Sequence, residues 1–186
     1  MVLTIGHSTR SFEEFLSLLH AHGATHLVDV RTVPRSRRNP QFNRDALEAA
    51  LPGAGIAYSH MAALGGLRKP RKDSPNGGWR NASFRGYADY MLTPEFDAAL
   101  GELQALAAAG RAAIMCAEAV PWRCHRSLIA DALRARGIEV RHITGTGTAR
   151  PHTLTPFAVV EGSRVTYPPP RLSGRGQDDA ERDLLR

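Results

Sequence analysis

The sequence is poor in cysteine and has no long apolar run, and each shortage excludes a class of protein. Its 186 residues include two cysteines, Cys116 and Cys124, too few for the disulfide framework of a small secreted domain. No stretch approaches the roughly 18 consecutive apolar residues of a membrane-spanning helix. Residues 1–10 lack the apolar core of a signal peptide. These absences predict a globular protein of the reducing cytoplasm, with no membrane partner.

Lysine is also scarce, and the basic charge is unevenly placed. Lys69 and Lys72 are the only lysines among 24 basic residues, and the formal net charge is +6. Residues 31–44 hold five arginines and no acidic residue, and residues 64–87 hold six basic residues and one acidic residue. A biased base composition accounts for the arginine count but not for this placement. The two segments predict contact with a phosphate group or a polyanion.

Apolar runs alternate with amphipathic segments along most of the chain. Strands are predicted over residues 2–6, 26–31, 56–61, 112–116 and 138–143, and helices over residues 45–51, 86–92, 93–109 and 125–136. A further helix is predicted to begin after Ser11, which has the capping-box spacing to Glu14, and to end at Gly23. This alternation predicts an α/β fold with three layers around a mostly parallel, Rossmann-like sheet.

The end of the chain has a different pattern. Two short β-type runs, residues 157–160 and 164–167, flank Gly162 and predict a β-hairpin. Three prolines at residues 168–170 end the predicted single domain of residues 1–170. Residues 171–186 balance four arginines against four acidic residues and predict a polar, disordered tail.

Polar residues of chemical interest follow four of the predicted strands. They are His7 and Ser8 after the first strand, Asp29 and Arg31 at the end of the second, Cys116 and Glu118, and His142. Because the carboxyl ends of parallel strands meet at one edge of a sheet, these side chains are predicted to share one rim. His7 also follows Gly6, which permits close approach of backbone or ligand, and an imidazole is a natural acid or base.

Several short motifs occur in order along residues 2–168. They are Thr4-Ile5-Gly6-His7-Ser8, Asp29-Val30-Arg31 with Pro34, Ser36 and Phe42-Asn43, Leu64-Gly65-Gly66, Tyr87, Cys116-x-Glu118, Cys124-His125-Arg126-Ser127-Leu128-Ile129-Ala130 and His152-x-Leu154-Thr155-Pro156-Phe157-Ala158. Together they resemble the bacterial and archaeal family called domain of unknown function 488. The resemblance implies a small α/β domain, and it implies no settled reaction.

The cysteines leave more than one interpretation open. Cys124, His125 and Arg126 stand at the start of a predicted helix, where unpaired N–H groups attract an anion and lower the pKa of a thiol. Cys116, Cys124 and His125 are also metal-binding residue types, and further ligands would have to come from residues such as His7 or Glu118. A cysteine nucleophile is a third possibility, although the spacing of Cys116 to the following arginines differs from that of cysteine-dependent phosphatases.

The first basic segment has the composition of a phosphate-contacting loop. Arg31 and Arg35 are expected to hold the anion. Two interpretations of the rest of the loop stay open: Phe42 stacks on a base and Asn43 reads its edge, or the loop is solvated and Phe42 packs in the core. In the second basic segment aromatic residues alternate with arginine, a weak signal for single-stranded nucleic acid; these residues are Trp79, Arg80, Phe84, Arg85 and Tyr87.

The sequence therefore predicts a small α/β enzyme that binds a phosphate-bearing substrate, a nucleotide or nucleic acid, at the strand ends. The predicted catalytic residues are His7, Cys116 and Glu118, and the predicted substrate-binding residues are Ser8, Asp29, Arg31, Arg35, Asn43, Tyr87, Cys124, His125 and Arg126. Two alternatives are a non-catalytic nucleic-acid-binding module and a metal-binding protein that uses Cys116, Cys124 and His125. The cofactor and the oligomeric state are left open.

Overall fold

The computed structural model describes residues 1–170, which form a six-stranded sheet and a separate two-stranded hairpin. The strands are β1 (Val2–Gly6), β2 (His26–Asp29), β3 (Ala57–His60), β4 (Ala112–Cys116), β5 (Val140–His142), β6 (Arg150–Pro151), β7 (Val159–Glu161) and β8 (Arg164–Thr166). The sheet order is β3-β2-β4-β1-β5-β6, parallel except for β6. The predicted mostly parallel α/β fold and the C-terminal hairpin, β7–β8, are confirmed. The predicted tail, residues 171–186, lies outside the described residues.

Five α-helices connect and flank the strands. They are α1 (Phe12–Ala21), α2 (Arg44–Ala50), α3 (Ala82–Tyr90), α4 (Pro94–Ala109) and α5 (Arg126–Ala135). Across residues 1–170, no helix combines the length and the apolarity that crossing a bilayer requires.

Alternate strand residues face two separate apolar cores, as the period of two in a strand requires. On one face, Leu3, Ile5, Ala113 and Met115 pack with Phe15 and Leu19 of α1 and Leu47 of α2. On the other face, Val28, Ala112 and Ile114 pack with Tyr87 of α3, Leu100 of α4 and Leu128 of α5. The sheet is therefore the middle of three layers, and both of its faces are buried.

The predicted helix starts agree with local capping. The Ser11 hydroxyl accepts a hydrogen bond from the Glu14 amide at 3.1 Å, and the Thr93 hydroxyl accepts one from the Phe96 amide at 3.3 Å. Pro94 occupies the first position of α4, where its missing N–H leaves no gap in the helix. These caps satisfy amides that have no partner within their helix.

Several element boundaries differ from the predictions. Strand β2 ends at Asp29 rather than at the predicted residue 31. The Arg31 amide donates to the Asp29 carboxylate, so this amide does not pair with a neighbouring strand. Helix α3 begins at Ala82 rather than residue 86, and Asn81 caps it. Strand β6 was not predicted, since two residues that include a proline give no strand pattern.

The second basic segment is held in place by one buried carboxylate. Asp89 of α3 is 2% exposed and accepts hydrogen bonds from the Arg71 amide, the Ser74 hydroxyl and the Asn76 side-chain amide. Gly86 has no side chain where the chain at Lys69 passes over α3. A long loop without strand or helix is thereby fixed against the domain.

Candidate functional site at the carboxyl ends of the strands

The carboxyl ends of β2, β4 and β1 lie side by side at one edge of the sheet. Gly6 pairs with Cys116 and Asp29 pairs with Met115 across neighbouring strands. The pairing continues past the strands, because the His7 amide donates to the Cys116 carbonyl at 3.0 Å and the Ser8 amide to the Ala117 carbonyl at 2.9 Å. This edge is where the sequence predicts the site.

A cavity of about 530 Å³ opens at this edge, and we call it the carboxyl-edge cavity. Its lining residues are His7, Ser8, Thr9, Arg31, Thr32, Val33, Arg35, Ser36, Arg38, Asn39, Gly66, Leu67, Cys116, Ala117 and His125. Of the predicted site residues, it therefore brings together His7, Ser8, Arg31, Arg35, Cys116 and His125. Its volume lies in the usual range for small-molecule sites.

His142, predicted on the same rim, lies elsewhere. It lines a separate, mainly apolar cavity of about 450 Å³ with Trp79, Trp122, His152 and Phe157. The reason is its strand: β5 is one position further along the sheet than β1, and the chain that follows it leads to β6. The predicted single rim is therefore divided, because Glu118 also lies outside the carboxyl-edge cavity and lines a third, smaller one.

Arg31 and Asp29 form a buried, two-pronged ion pair beside the carboxyl-edge cavity. The Arg31 guanidinium donates to the two Asp29 carboxylate oxygens at 2.8 and 2.5 Å, and also to the Phe42 carbonyl at 2.7 Å. The Tyr58 hydroxyl donates to Asp29 at 2.9 Å, and burial together with the Asp29 charge raises the pKa of Tyr58 well above its usual value. Most donors of Arg31 are thus already engaged.

His7 is a buried, neutral imidazole. Its ring stacks on Phe42 with 4.4 Å between ring centroids, its Nδ1–H donates to the Ser8 carbonyl at 2.8 Å, and its Nε2 lies 3.4 Å from an Arg31 nitrogen. Burial lowers the pKa of His7 to about 4, and the Arg31 charge acts in the same direction. Ser8, the next residue, has a φ of 51°, a left-handed conformation that is uncommon for a residue with a side chain.

Of the two interpretations of Phe42, packing in the core is confirmed and base stacking is wrong. Phe42 has no exposed surface, and its ring is enclosed by His7 and Phe15. Asn43 also has a different contact from the predicted one: its side-chain oxygen accepts the Ser36 amide at 2.7 Å and so fixes the basic loop.

Three exposed arginines of the first basic segment have no acidic partner in residues 1–170. Arg35, Arg37 and Arg38 are on the surface, and none of them has a carboxylate within salt-bridge distance in residues 1–170. Arg35 and Arg38 line the carboxyl-edge cavity, whereas Arg37 does not. The unpaired positive charge at the cavity therefore comes from Arg35 and Arg38.

Two thiols and an imidazole meet at the end of β4 and the start of α5, and we call Cys116, Cys124 and His125 the thiol centre. Their ligand atoms all lie within 4.8 Å of one another. The His125 Nε2–H donates to the Val30 carbonyl at 3.0 Å, and its Nδ1 lies 3.6 Å from the Cys124 sulfur. Gly66 has no side chain where the His125 ring approaches, and a Cβ there would come within 2.5 Å of Nδ1.

Arg126 is a buried residue that packs against the thiol centre on its interior side. It is 1% exposed, and its guanidinium donates to the Cys124 sulfur at 3.4 Å, to the Thr4 hydroxyl at 3.5 Å and to the Glu118 carbonyl. Gly6 permits this last contact, because a Cβ at Gly6 would lie 1.8 Å from the Glu118 carbonyl oxygen. The close approach predicted at Gly6 is therefore made by backbone.

The two thiols have opposite protonation tendencies. A hydrogen bond from the Cys116 thiol lowers the pKa of Cys124 well below its usual value, and His125 and Arg126 add to the effect. The same hydrogen bond, together with burial, raises the pKa of Cys116. The site therefore favours a Cys124 thiolate that accepts from a Cys116 thiol.

Some features of the thiol centre favour metal binding, and one feature, the neighbouring Arg126, disfavours it. Catalytic zinc sites use three protein ligands, and a ligating histidine often donates its other N–H to a backbone carbonyl, as His125 does. The Arg126 guanidinium, however, contacts Cys124 directly, and a second cation would be repelled by it.

Glu118 and Tyr87 lie at the edges of this arrangement. Glu118 is exposed, and its carboxylate lines a small cavity of about 160 Å³ with Ser83, Phe84, Arg123 and the thiol centre. Tyr87 is fully buried, and its hydroxyl donates to the Leu64 carbonyl at 2.9 Å. The structure thus places Tyr87 as a support for the loop near Leu64.

Sequence reasoning missed a buried chain of hydrogen bonds that starts at Arg126 and ends at Asp131; we call this chain the relay. The Thr4 hydroxyl donates to His142 Nδ1 at 2.7 Å, His142 Nε2–H donates to His152 Nδ1 at 2.9 Å, and His152 Nε2–H donates to Asp131 at 2.8 Å. Burial lowers the pKa of His142 to about 4. The motif that begins at His152 was the available signal, but spacing alone does not reveal contacts between segments so far apart in sequence.

Asp131 anchors the C-terminal segment through the same relay. Its carboxylate is fully buried and also accepts from the Thr155 amide at 3.0 Å, the Thr155 hydroxyl at 2.7 Å and the Tyr167 hydroxyl at 2.7 Å. Each of its oxygens is thereby satisfied, as a buried charge requires. The relay holds residues 150–167 against α5.

Comparison with known proteins gives one finding. No curated protein and no solved structure matches the chain. A family model described as "Domain of unknown function DUF488" matches residues 11–133, which is more than half of the chain and includes β2, β4 and the start of α5. The chain belongs to this family, domain of unknown function 488.

Proposed function

We propose that the protein is an enzyme that binds a phosphate-bearing substrate, a nucleotide or nucleic acid, in the carboxyl-edge cavity. The observation that carries the proposal is the pair Arg35 and Arg38, which line this cavity without a carboxylate partner in the described part of the chain. Exposed guanidinium groups bind phosphate oxygens with two parallel hydrogen bonds. Arg31 contributes the wall of the cavity, because its charge is balanced by Asp29.

The residues around the cavity support chemistry in addition to binding. Cys116 and His125 line both the carboxyl-edge cavity and the small cavity, so the thiol centre adjoins the proposed phosphate site. Two groups are assigned to proton transfer: His7, a buried neutral imidazole that lines the carboxyl-edge cavity, and Glu118, an exposed residue that lines the adjoining small cavity. The left-handed Ser8 also supports a functional assignment, since such backbone strain concentrates at active sites.

Binding is tested with adenosine triphosphate and a short single-stranded oligonucleotide, by calorimetry at two salt concentrations. We expect Arg35→Ala and Arg38→Ala each to weaken triphosphate binding by about tenfold, since a hydrogen bond to a charged group contributes about 1.5–3 kcal/mol. Arg37→Ala is the matched control: the same charge is removed from the same loop, outside the cavity. An equal loss in all three variants would contradict a defined cavity and would favour the non-catalytic nucleic-acid-binding module.

Catalysis is tested separately from binding. Products from nucleotides and oligonucleotides are analysed by chromatography for the wild type and for Glu118→Gln, an exposed substitution that leaves the fold intact. The proposal expects Glu118→Gln to bind like the wild type and to lose turnover. Absence of any product with the wild type, at full ligand occupancy, would contradict an enzyme of this class.

The metal-binding alternative has its own observation, the three ligand atoms of the thiol centre within 4.8 Å. It is tested by metal analysis of reduced protein purified without chelator. One tightly bound zinc or iron per chain, lost together with stability on chelation, would favour it.

A further inference from the structure

The small cavity beside the thiol centre is lined by two cysteines that phosphate binding does not use. Cys116 and Cys124 are both free thiols, both line this cavity of about 160 Å³, and their sulfur atoms lie within 4.8 Å of each other. Cys116 is the more exposed of the two. Two thiols this close, in contact with one small opening, have the arrangement of a dithiol that can be oxidised.

The position of Arg126 explains why Cys124, rather than Cys116, is the sulfur that carries a negative charge. It is a buried guanidinium, and in residues 1–170 no carboxylate lies within salt-bridge distance of it. A buried cation requires a nearby negative charge. Cys124, at 3.4 Å, is the only acidic side chain among its described hydrogen-bond partners.

We propose that Cys116 and Cys124 are a redox-active dithiol that reduces a hydroperoxide, with Cys124 as the attacking sulfur and Cys116 as the resolving sulfur. This activity goes beyond the proposed phosphate-binding function and does not depend on it. The Arg126 guanidinium, which donates to the Cys124 sulfur at 3.4 Å, supports the assignment, because a nearby cation stabilises the thiolate and the thiolate is the reactive form.

The reaction is balanced with the peroxide as the oxidant. The Cys124 thiolate attacks one peroxide oxygen, a sulfur–oxygen bond forms, the oxygen–oxygen bond breaks, and the departing hydroxide or alkoxide takes a proton from solvent. The Cys116 sulfur then attacks the Cys124 sulfenic acid, the disulfide forms, and water leaves with the proton of the Cys116 thiol. Two electrons pass from the sulfurs to the peroxide.

The size of the cavity selects the oxidant. A volume of about 160 Å³ holds a few water molecules at roughly 30 Å³ each, so it accommodates hydrogen peroxide or a small alkyl hydroperoxide. The exposed residues 117–119, which form no helix or strand, follow Cys116 directly in the segment that connects it to Cys124.

The test uses the reduced, full-length protein and one equivalent of hydrogen peroxide. We expect the intact mass to fall by two hydrogens, both thiols to become resistant to alkylation, and dithiothreitol to reverse both changes. We expect the folded protein to react about tenfold faster at pH 7 than the same chain in urea, where both thiols have ordinary pKa values. This comparison needs no variant, so a folding defect cannot obscure it.

A variant identifies the attacking sulfur. In Cys116→Ser, Cys124 should stop at the sulfenic acid and be trapped by dimedone, with unchanged circular dichroism. In Cys124→Ser, Cys116 is the remaining thiol of the pair. If it is oxidised by peroxide as fast as the wild type and is then labelled by dimedone, the assignment of Cys124 as the attacking sulfur is overturned. Equal rates for folded and unfolded protein would overturn the proposal, as would a sulfinic acid on Cys124 with Cys116 still free. A bound metal that blocks the reaction would also overturn it, in favour of a metal site.

Discussion

Two buried arginines lie at the same edge of the sheet, and their partners differ. Arg31 is 6% exposed and forms a two-pronged ion pair with Asp29. Arg126 is 1% exposed and contacts a thiol, a hydroxyl and a backbone carbonyl. In one case a carboxylate neutralises the guanidinium, and in the other the negative charge has to come from Cys124.

The difference separates a structural role from a chemical one. The Asp29–Arg31 pair also bonds the Phe42 carbonyl and so fixes the start and the end of the basic loop. Arg126 instead stabilises the charged form of a sulfur that is weakly acidic in water. One buried arginine, Arg31, therefore forms the wall of the carboxyl-edge cavity, and the other, Arg126, stabilises the thiolate of Cys124 beside the small cavity.

The largest expected effect comes from breaking the Asp29–Arg31 pair. Asp29→Asn leaves the buried Arg31 without its counter-charge, and we expect a loss of about 3–5 kcal/mol in the free energy of unfolding. Asp73→Asn is the control, since Asp73 pairs with Arg71 on the surface and such pairs contribute about 0–1 kcal/mol. Urea unfolding measures both, and similar losses would contradict the distinction between the two pairs.

A pH effect of intermediate size should come from the buried histidines. His7 and His142 have folded-state pKa values of about 4, against about 6.5 unfolded. Between these values the unfolded chain binds more protons, so stability falls as pH falls, by up to about 1.4 kcal/mol per pH unit for each histidine. His142→Gln should reduce the slope of unfolding free energy between pH 6.5 and 5; an unchanged slope would contradict a neutral, buried His142.

The smallest expected effect concerns the charge on Cys124. Arg126→Met removes the guanidinium, and we expect the midpoint of the pH dependence of alkylation at Cys124 to rise by about one pH unit. Arg134→Met is the control, because Arg134 is an exposed arginine of the same helix and does not line the small cavity. Equal midpoints for Arg126→Met and the wild type would mean that Arg126 is not the counter-charge.

The fold was predictable because its signals are local. The run Ala112–Cys116 was predicted to the residue, and the Ser11 cap and the Gly162 turn lie where the pattern places them. The differences occur where a side chain overrides the pattern, as Asp29 does at the end of β2. A helix or strand needs only near neighbours, and these are visible in the sequence.

The sequence predicted where several candidate residues lie, but not which groups they contact. The strand-end rule placed His7, Arg31 and Cys116 together. It did not show that Phe42 is buried under His7, or that Glu118 holds Arg126 through its carbonyl. Those contacts depend on how distant segments pack, and charge and spacing carry no information about that packing.

The most direct measurement is the map of amide chemical-shift changes as adenosine triphosphate is added to isotope-labelled protein. The account predicts saturable shifts at Ser8, Arg35 and Gly66, which surround the carboxyl-edge cavity, and none at Arg80 or Arg85 in the second basic segment. Shifts spread over both basic segments without saturation, or no shifts at all, would contradict a phosphate site at this edge of the sheet.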